Sequence, residues 1–407
     1  QYRTMRPPPP RADCQTMHRI KTYNALSSKG LKRFDTECFE VGEGIEYPTA
    51  ILLRSHKLQE AEIPDSVTAI ARAGAGVNNI PVKLCSERGI PVFNTPGANA
   101  NAVKELVAAA MLLASRDIVG GIAFARDQDA SLAPADFSAL MEREKKRFAG
   151  AELAGKTLGV IGLGAIGSLV ARLGLDFGMD VVGFDPALSV EAAWRLPSEV
   201  RRMKDVQTLL ARSDFISLHL PVLDSTRGLI NADMLKHFRP GSCLVNFARE
   251  EIVVTEDLVE ALNSGTLSRY VADFPNPLLL GRDDAILMPH IGASTAEAAE
   301  NCAVMAADQL KGFLEHGNIR NSVNFPTIEL ERTTDFRITI SNQNAPGMLS
   351  HILTLIGEDG LNVADLLNKS VGNTAYNIID LDGVPKDALL AQIRGLDGVL
   401  NLRVIGG

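Results

Sequence analysis

The chain has 407 residues, 46% of them hydrophobic, and a formal net charge of −8. That length predicts two or three domains, and the acidic balance disfavours a nucleic-acid binder, whose surface would be basic. The longest apolar run, residues 106–114, falls far short of the roughly 20 residues a membrane-spanning helix needs, and five scattered cysteines without a CxxC pair predict a reducing compartment and no structural metal.

Residues 1–17 contain four consecutive prolines, which suit neither a helix nor a central strand. They lack the apolar core of a secretory signal, so a disordered tail is expected. Over residues 20–93 the apolar runs RIKTY, AILL, TAIARA and IPVFN alternate with helix-compatible stretches, the spacing of a small parallel sheet with helices. The run 101–118 is Ala- and Leu-rich without Pro or Gly and predicts a long helix linking two lobes. A second α/β pattern then runs through TLGVIG, DVVGFD, DFISLHL, SCLVNFA, RYVAD and DAILMPH. Six such strands with helices between them predict a doubly wound sheet of dinucleotide-fold dimensions. Beyond residue 295 a long amphipathic helix is expected to return to the first lobe. The expected domains are therefore a discontinuous substrate lobe, residues 18–112 with 298–325, around a nucleotide-binding domain, 113–297. Past a linker, residues 335–407 read strand, helix, strand, strand, helix, strand, a small βαββαβ domain.

Gly162, Gly164 and Gly167, with Ala165 and Ile166 between them, form GxGxxG after a predicted strand and at the start of a helix, the setting that gives this otherwise weak pattern its meaning. The first glycine permits the turn, the second lets the backbone approach a pyrophosphate, and the third allows close helix–strand packing; the helix N-terminus adds free N–H groups. Asp185 ends the next strand, where a carboxylate accepts from ribose hydroxyls and repels a 2′-phosphate. The residues after it, PALSV, hold no Arg or Lys, so NAD is expected rather than NADP. Two further strand ends carry reactive residues, Arg249 in LVNFARE and His290 in LMPHIGAST. An arginine there can hold a carboxylate while polarising the adjacent carbonyl, and a histidine can move the hydroxyl proton as hydride leaves C2. Reversible oxidation of a 2-hydroxy acid is the reaction these residues suggest.

IGLGAIG, NFAR and PHIGAST, with RAGAGVNNI and NTPGANANAVKELV earlier in the chain, resemble the D-isomer-specific 2-hydroxyacid dehydrogenases from about residue 18 to 325. The C-terminal unit, with NQNAPGMLSHI and LNVADL, resembles an ACT domain, a module that senses amino acids. The resemblance implies NAD contacts from Leu220, Pro221, Phe247, Ala248, Asp273, Gly292 and Ala293 in addition to the glycine-rich loop. It implies substrate contacts from Arg54, Arg72, Gly74, Ala75, Gly76, Val77 and Asn99, with Arg54 and Arg72 reaching a phosphate and the run Lys145, Lys146, Arg147 a further source of positive charge. Its implied reaction is the oxidation of D-3-phosphoglycerate in serine biosynthesis. Serine would act as effector on Asn342, Asn344 and Asn362, in a cytoplasmic homodimer or homotetramer. The alternatives are oxidation of another 2-hydroxy acid, or an NAD-sensing regulator without turnover.

The chain departs from that family at the partner of the histidine. Relatives commonly pair it with a glutamate from a Glu-Pro, where this chain reads Asp273-Phe274-Pro275-Asn276-Pro277. Asn276, Asp283 or Asp284, and Glu250 or Glu251 remain open as substitutes. Glu250 itself stands where relatives commonly have glycine.

Overall fold

The computed structural model describes residues 17–406, which form two compact units, one ending at Asn99 and resuming at Ala296, the other Ala100–Thr295. The tail expected before Met17 lies outside the described residues.

In the first unit, β1 (His18–Tyr23), β2 (Phe39–Gly42), β3 (Ala50–Leu53), β4 (Ala69–Arg72) and β5 (Val92–Phe93) make a parallel sheet in the order β2-β1-β3-β4-β5. Every residue of β3 is buried, as a parallel strand covered on both faces requires. The helix Ala296–His316 supplies one cover, placing Cys302, Ala306, Leu310 and Phe313 against Ile20, Leu52, Ala71 and Phe93.

The second unit holds β6 (Thr157–Ile161), β7 (Asp180–Phe184), β8 (Arg201–Arg202), β9 (Phe215–Leu218), β10 (Ser242–Asn246), β11 (Leu267–Ala272) and β12 (Ala285–Leu287), parallel in the order β12-β11-β10-β9-β6-β7-β8. The order reverses beside β6, which opens a crevice at the carboxyl ends of β6 and β9. Seven strands stand where six were expected, because β8 is two exposed arginines with no apolar pattern to reveal it. The helix Ala100–Ser115 packs Val103, Val107, Ala110 and Met111 against Leu158, Val160 and Val245. It therefore belongs wholly to this unit, and the division falls at residue 99/100 rather than at 112/113.

The C-terminal strands β13 (Phe336–Gln343), β14 (Val363–Val371), β15 (Thr374–Leu381) and β16 (Val399–Ile405) form an antiparallel sheet, β14-β15-β13-β16, as the βαββαβ reading requires. Its helices, Met348–Glu358 and Asp387–Arg394, cover one face through Ile352, Ile356, Leu389 and Ile393. The other face is also covered: Tyr376 and Ile378 enter the core built by Phe313, Phe325 and the first sheet. The expected separate domain is thus part of the first compact unit. Arg403 donates to the carbonyls of Phe313 and Leu314, Arg337 to that of His316 and the Tyr376 hydroxyl to that of Gly317. Leu314 and His316 are among the last carbonyls of helix Ala296–His316, which the helix end leaves without intrahelical partners, while that of Phe313 also accepts from the Gly317 N–H at 2.9 Å.

Among the described residues, no single helix is long and apolar enough to cross a membrane. Cys85, Cys243 and Cys302 are free and buried, and burial pushes the first two thiols up to about 11 and about 12. Cys38 is disulfide-bonded, where the scattered cysteines predicted a reducing compartment.

Candidate active site

The glycine-rich loop joins β6 to the helix Ala165–Asp176. Gly162 has φ +90°, and a Cβ on it would fall 2.5 Å from the carbonyl oxygen of His219; one on Gly167 would fall 1.8 Å from that of Gly162. Only glycine fits either place. At Gly164 nothing lies within 4 Å of where a Cβ would stand, so the backbone is open to a close-approaching ligand at the N-terminus of a 12-residue helix. The Asp185 carboxylate accepts from the backbone N–H of Leu163 at 2.8 Å and of Ala187 at 2.9 Å, fixing the loop to the end of β7. Each carboxylate oxygen keeps a further lone pair for a ribose hydroxyl. An open glycine cradle, a helix N-terminus and an anchored carboxylate fit a dinucleotide without a 2′-phosphate.

His219, just after β9, is partly buried, with its Nδ1 out of reach of solvent, and burial lowers its pKa to about 3, so its ring is neutral. Its Nε2 lies 2.8 Å from the Ser217 hydroxyl, while Nδ1 has no partner. Leu220 and Pro221 follow it on the crevice side of the sheet.

Arg249 is presented by the loop after β10, beyond the buried Phe247 and Ala248. Asn246, itself fully buried, organises that loop. Its Nδ2 donates to the Arg249 carbonyl at 3.0 Å and to the Tyr270 hydroxyl at 3.1 Å, and its Oδ1 accepts from the Ala248 N–H at 3.1 Å. The Arg249 guanidinium is exposed and donates only to the neighbouring Ala248 carbonyl, at 2.7 Å; among the described residues it makes no ion pair. Asn246 was not anticipated from the sequence, although a polar residue inside the all-apolar run SCLVNFA is the signal that marks it.

His290 lies in the loop after β12, exposed, with φ +57°. A β-carbon makes that left-handed conformation costly, so something must hold it. Asp273 does: its carboxylate, 3% exposed, accepts from the N–H of Ile291 at 2.8 Å and of Gly292 at 2.6 Å. Both oxygens thus accept from the loop that carries His290, where the resemblance implied a contact with the cofactor. No carboxylate among the described residues hydrogen-bonds the His290 ring, whose neighbour is Phe274, 4.9 Å between centroids. Three of the substitutes considered, Asn276, Asp284 and Glu250, have other partners. Asp284 pairs with Arg282 through two bonds of 2.8 Å, and Asn276 donates to Glu250 at 2.8 Å while accepting from the Leu278 N–H at 3.0 Å.

Gly162–Gly167, Asp185, residues 220–221, 247–249 and 290–293 thus gather at the carboxyl edge of one sheet. The remaining expected substrate residues belong to the first unit. Arg54 follows β3 and is exposed. Arg72 ends β4 and donates to the Arg54 carbonyl at 3.0 Å and to that of Gly76 at 2.5 Å, so it shapes the 74–77 loop. Asn99 is the last residue before the unit boundary. Lys145 and Arg147 pair with Glu142 and Glu144, and the Arg147 guanidinium also lies 5.4 Å from the Phe124 ring. In the C-terminal sheet, Asn342 is 3% exposed, on the helix-covered face, where its Oδ1 accepts from Asn377 at 2.7 Å. That burial corrects its expected contact with an effector. Asn344 is exposed and donates to the Gly372 carbonyl at 3.2 Å, and Asn362 is exposed with its N–H bonded to Asp382 at 2.9 Å.

Residues 108–292 match the family model described as D-isomer specific 2-hydroxyacid dehydrogenase, NAD binding domain. The chain is similar to the D-3-phosphoglycerate dehydrogenase of Haemophilus influenzae, 30% identical over 385 residues, covering 90% of this chain and 88% of that protein. It is also similar to the hydroxypyruvate reductase of Thermotoga maritima, 37% identical over 61% of this chain and 78% of that one. D-3-phosphoglycerate dehydrogenases from Methanocaldococcus jannaschii and Archaeoglobus fulgidus are matched over only 53% and 52% of their lengths. Among solved structures, the NAD+-bound 3-phosphoglycerate dehydrogenase of Entamoeba histolytica superposes with a TM-score of 0.58 at 25% identity, covering 76% of this chain and 99% of that one.

Proposed function

The chain belongs to the D-isomer specific 2-hydroxyacid dehydrogenases, NAD-dependent oxidoreductases, and from that premise we propose that it oxidises D-3-phosphoglycerate to 3-phosphohydroxypyruvate. The observation that carries the reading is an exposed arginine that makes no ion pair among the described residues and an exposed histidine at the carboxyl edge of a sheet whose glycine loop fits a dinucleotide. Bound NAD supplies the hydride acceptor. Arg249 holds the substrate carboxylate by two parallel N–H bonds and polarises the oxygen on C2. His290 takes the hydroxyl proton at a ring nitrogen in oxidation and returns it in reduction. Asn246 and Asp273 keep the two loops in place. Arg54 and the 74–77 loop are the first unit's candidates for the phosphate, and the similarity to several D-3-phosphoglycerate dehydrogenases supports that choice.

The hydroxypyruvate reductase at 37% identity favours a second reading, an unphosphorylated 2-oxo acid as substrate. Oxidation of NADH with 3-phosphohydroxypyruvate, set beside hydroxypyruvate, glyoxylate and 2-oxoglutarate, decides between them. Fast turnover of the phosphorylated acid is expected; turnover restricted to the others selects the second reading, and cofactor binding without any turnover would leave only an NAD-responsive regulator.

Regulation by serine is part of the proposal, with Asn344 and Asn362 as its contacts. Inhibition by serine that is abolished in Asn344→Ala is the expected result. We also assign the enzyme to the cytoplasm as a homodimer or homotetramer. Val119, Ile122, Leu132 and Phe137, all on or between helices Ile118–Arg126 and Pro134–Glu144, are more than a third exposed and offer an apolar surface for a second copy. Light scattering of Ile122→Asp against the parent tests that surface.

A further inference from the structure

A carboxylate sits directly after the arginine that this reading gives to the substrate. Glu250 is exposed, as Arg249 is, and neighbouring Arg–Glu side chains do pair in this molecule: Arg143 and Glu144 meet at 2.9 Å. An arginine already neutralised by its own neighbour would bind a substrate carboxylate only after breaking that pair. Yet Glu250 makes no ion pair with Arg249 among the described residues. Its Oε1 accepts from Asn276 Nδ2 at 2.8 Å, across from the loop after β11. Asn276 is fixed in turn. Its Oδ1 caps the short turn Pro277–Leu279 by accepting from the Leu278 N–H at 3.0 Å, and its Nδ2 also lies 3.4 Å from the Thr255 hydroxyl. The extended backbone of Arg249, φ −159° and ψ 155°, starts the two side chains in different directions, and Asn276 holds the second one there.

We propose that Asn276 is a positioning residue for substrate binding, which retains Glu250 and so keeps the Arg249 guanidinium unpaired for the substrate carboxylate. The inference rests on the assignment of Arg249 to that carboxylate. It uses an uncharged amide because only a donor without a charge of its own can hold a carboxylate without competing for the incoming anion. A lysine in that place would attract the substrate away from Arg249, and an aspartate would drive Glu250 off.

Asn276→Ser tests it. Serine keeps a side-chain oxygen to cap the turn but is too short to hold Glu250. The expected result, with NADH and 3-phosphohydroxypyruvate, is a KM for the oxo acid raised about fivefold, the penalty of competing with an exposed ion pair worth about 1 kcal/mol. The kcat and the KM for NADH should stay within about twofold, as for an interaction lost equally from ground and transition states. Adding Glu250→Gln to Asn276→Ser removes the competing charge and should return the oxo-acid KM to the parental value. An unchanged KM in Asn276→Ser, or a raised KM that Glu250→Gln does not restore, overturns the inference, the second outcome showing a merely structural turn. Arg249→Gln is measured alongside. If it leaves the oxo-acid KM unchanged, the assignment of Arg249 fails; if it raises KM while Asn276→Ser does not, only the role of Asn276 fails.

Discussion

Two aspartates, Asp273 in the second unit and Asp380 in the first, are 3% and 0% exposed, and the protein satisfies them in different ways. Asp380 faces Arg337 directly across β13 and β15, through bonds of 2.5 and 2.9 Å, with both side chains inaccessible and Thr333 donating as well. Asp273 has no cation beside it among the described residues. Two consecutive backbone N–H groups, those of Ile291 and Gly292, take its place. The difference follows from what each carboxylate holds. Arg337 reaches the carbonyls of His316 and Leu330, so a charged pair locks the C-terminal sheet to the helix beneath it, where only firmness matters. Asp273 must set the dihedral angles of a loop that presents His290 at φ +57°, and backbone donors dictate geometry as a mobile side chain cannot.

The largest effect should come from breaking the charged pair. Asp380→Ala leaves a buried guanidinium without its counter-ion and is expected to cost about 3–5 kcal/mol of stability. The double replacement Arg337→Met/Asp380→Leu should recover most of that loss, since well-packed apolar residues often substitute for a buried pair without penalty. Urea unfolding of both variants measures this, and a double variant no more stable than Asp380→Ala would show that the pair is needed for its geometry and not only for its charge balance. Asp273→Ala comes next, at about 1.5–3 kcal/mol for the loss of hydrogen bonds to a charged group. Here the contrast lies in activity: kcat should fall about a hundredfold, the order of loss that a small displacement of a reacting group brings, whereas Asp380→Ala should leave kcat of the folded enzyme near that of the parent. Equal effects on kcat would remove the distinction drawn between the two carboxylates. Asn246→Ala is smaller still. It strips three hydrogen bonds from the Arg249 loop but leaves no charge behind, for about 1–2 kcal/mol, and its kinetic signature should be a raised KM for the oxo acid.

The same contrast explains what could be read in the sequence. The glycine loop, Asp185, Arg249 and His290 are bound by local rules: a turn that needs glycine and the ends of apolar strands. Their positions follow from the chain alone. Arg337, Thr339 and Ser341 alternate with isoleucines in FRITISN and read as the solvent face of a half-exposed strand. In the structure all three are buried, because the face they occupy lies against residues of the first lobe. Nothing within β13 signals that burial, which depends on where a helix about 20 residues earlier in the chain comes to rest. Asn276 shows the same limit at the site. Its place invited the role of the missing partner of His290, but its bonds go to Glu250, Leu278 and Thr255, and only the three-dimensional arrangement of the β10 and β11 loops decides that.

A third ionisable group, only partly buried, has neither counter-ion nor backbone donors among the described residues. His219 has only the Ser217 hydroxyl at Nε2, and burial lowers its pKa from 6.5 to about 3. The protein accommodates it by keeping it neutral. Above pH 6.5 neither the folded nor the unfolded chain protonates this ring, and the stability is complete. As the pH falls below 6.5 the unfolded chain takes up a proton that the folded chain refuses, so stability declines until the folded ring also titrates near pH 3. The slope attributable to His219 approaches about 1.4 kcal/mol per pH unit, so at pH 5.5 the loss amounts to about 1.4 kcal/mol, within the range given for Asn246→Ala. His18, also lowered, to about 4, adds a slope of its own, and the informative quantity is therefore the difference between the parent and His219→Gln. Urea midpoints taken from pH 7.5 to 5 should converge as the pH falls, the variant losing less stability than the parent. Parallel curves would mean that the ring is charged inside the fold, and that a partner for it stands close to the glycine loop.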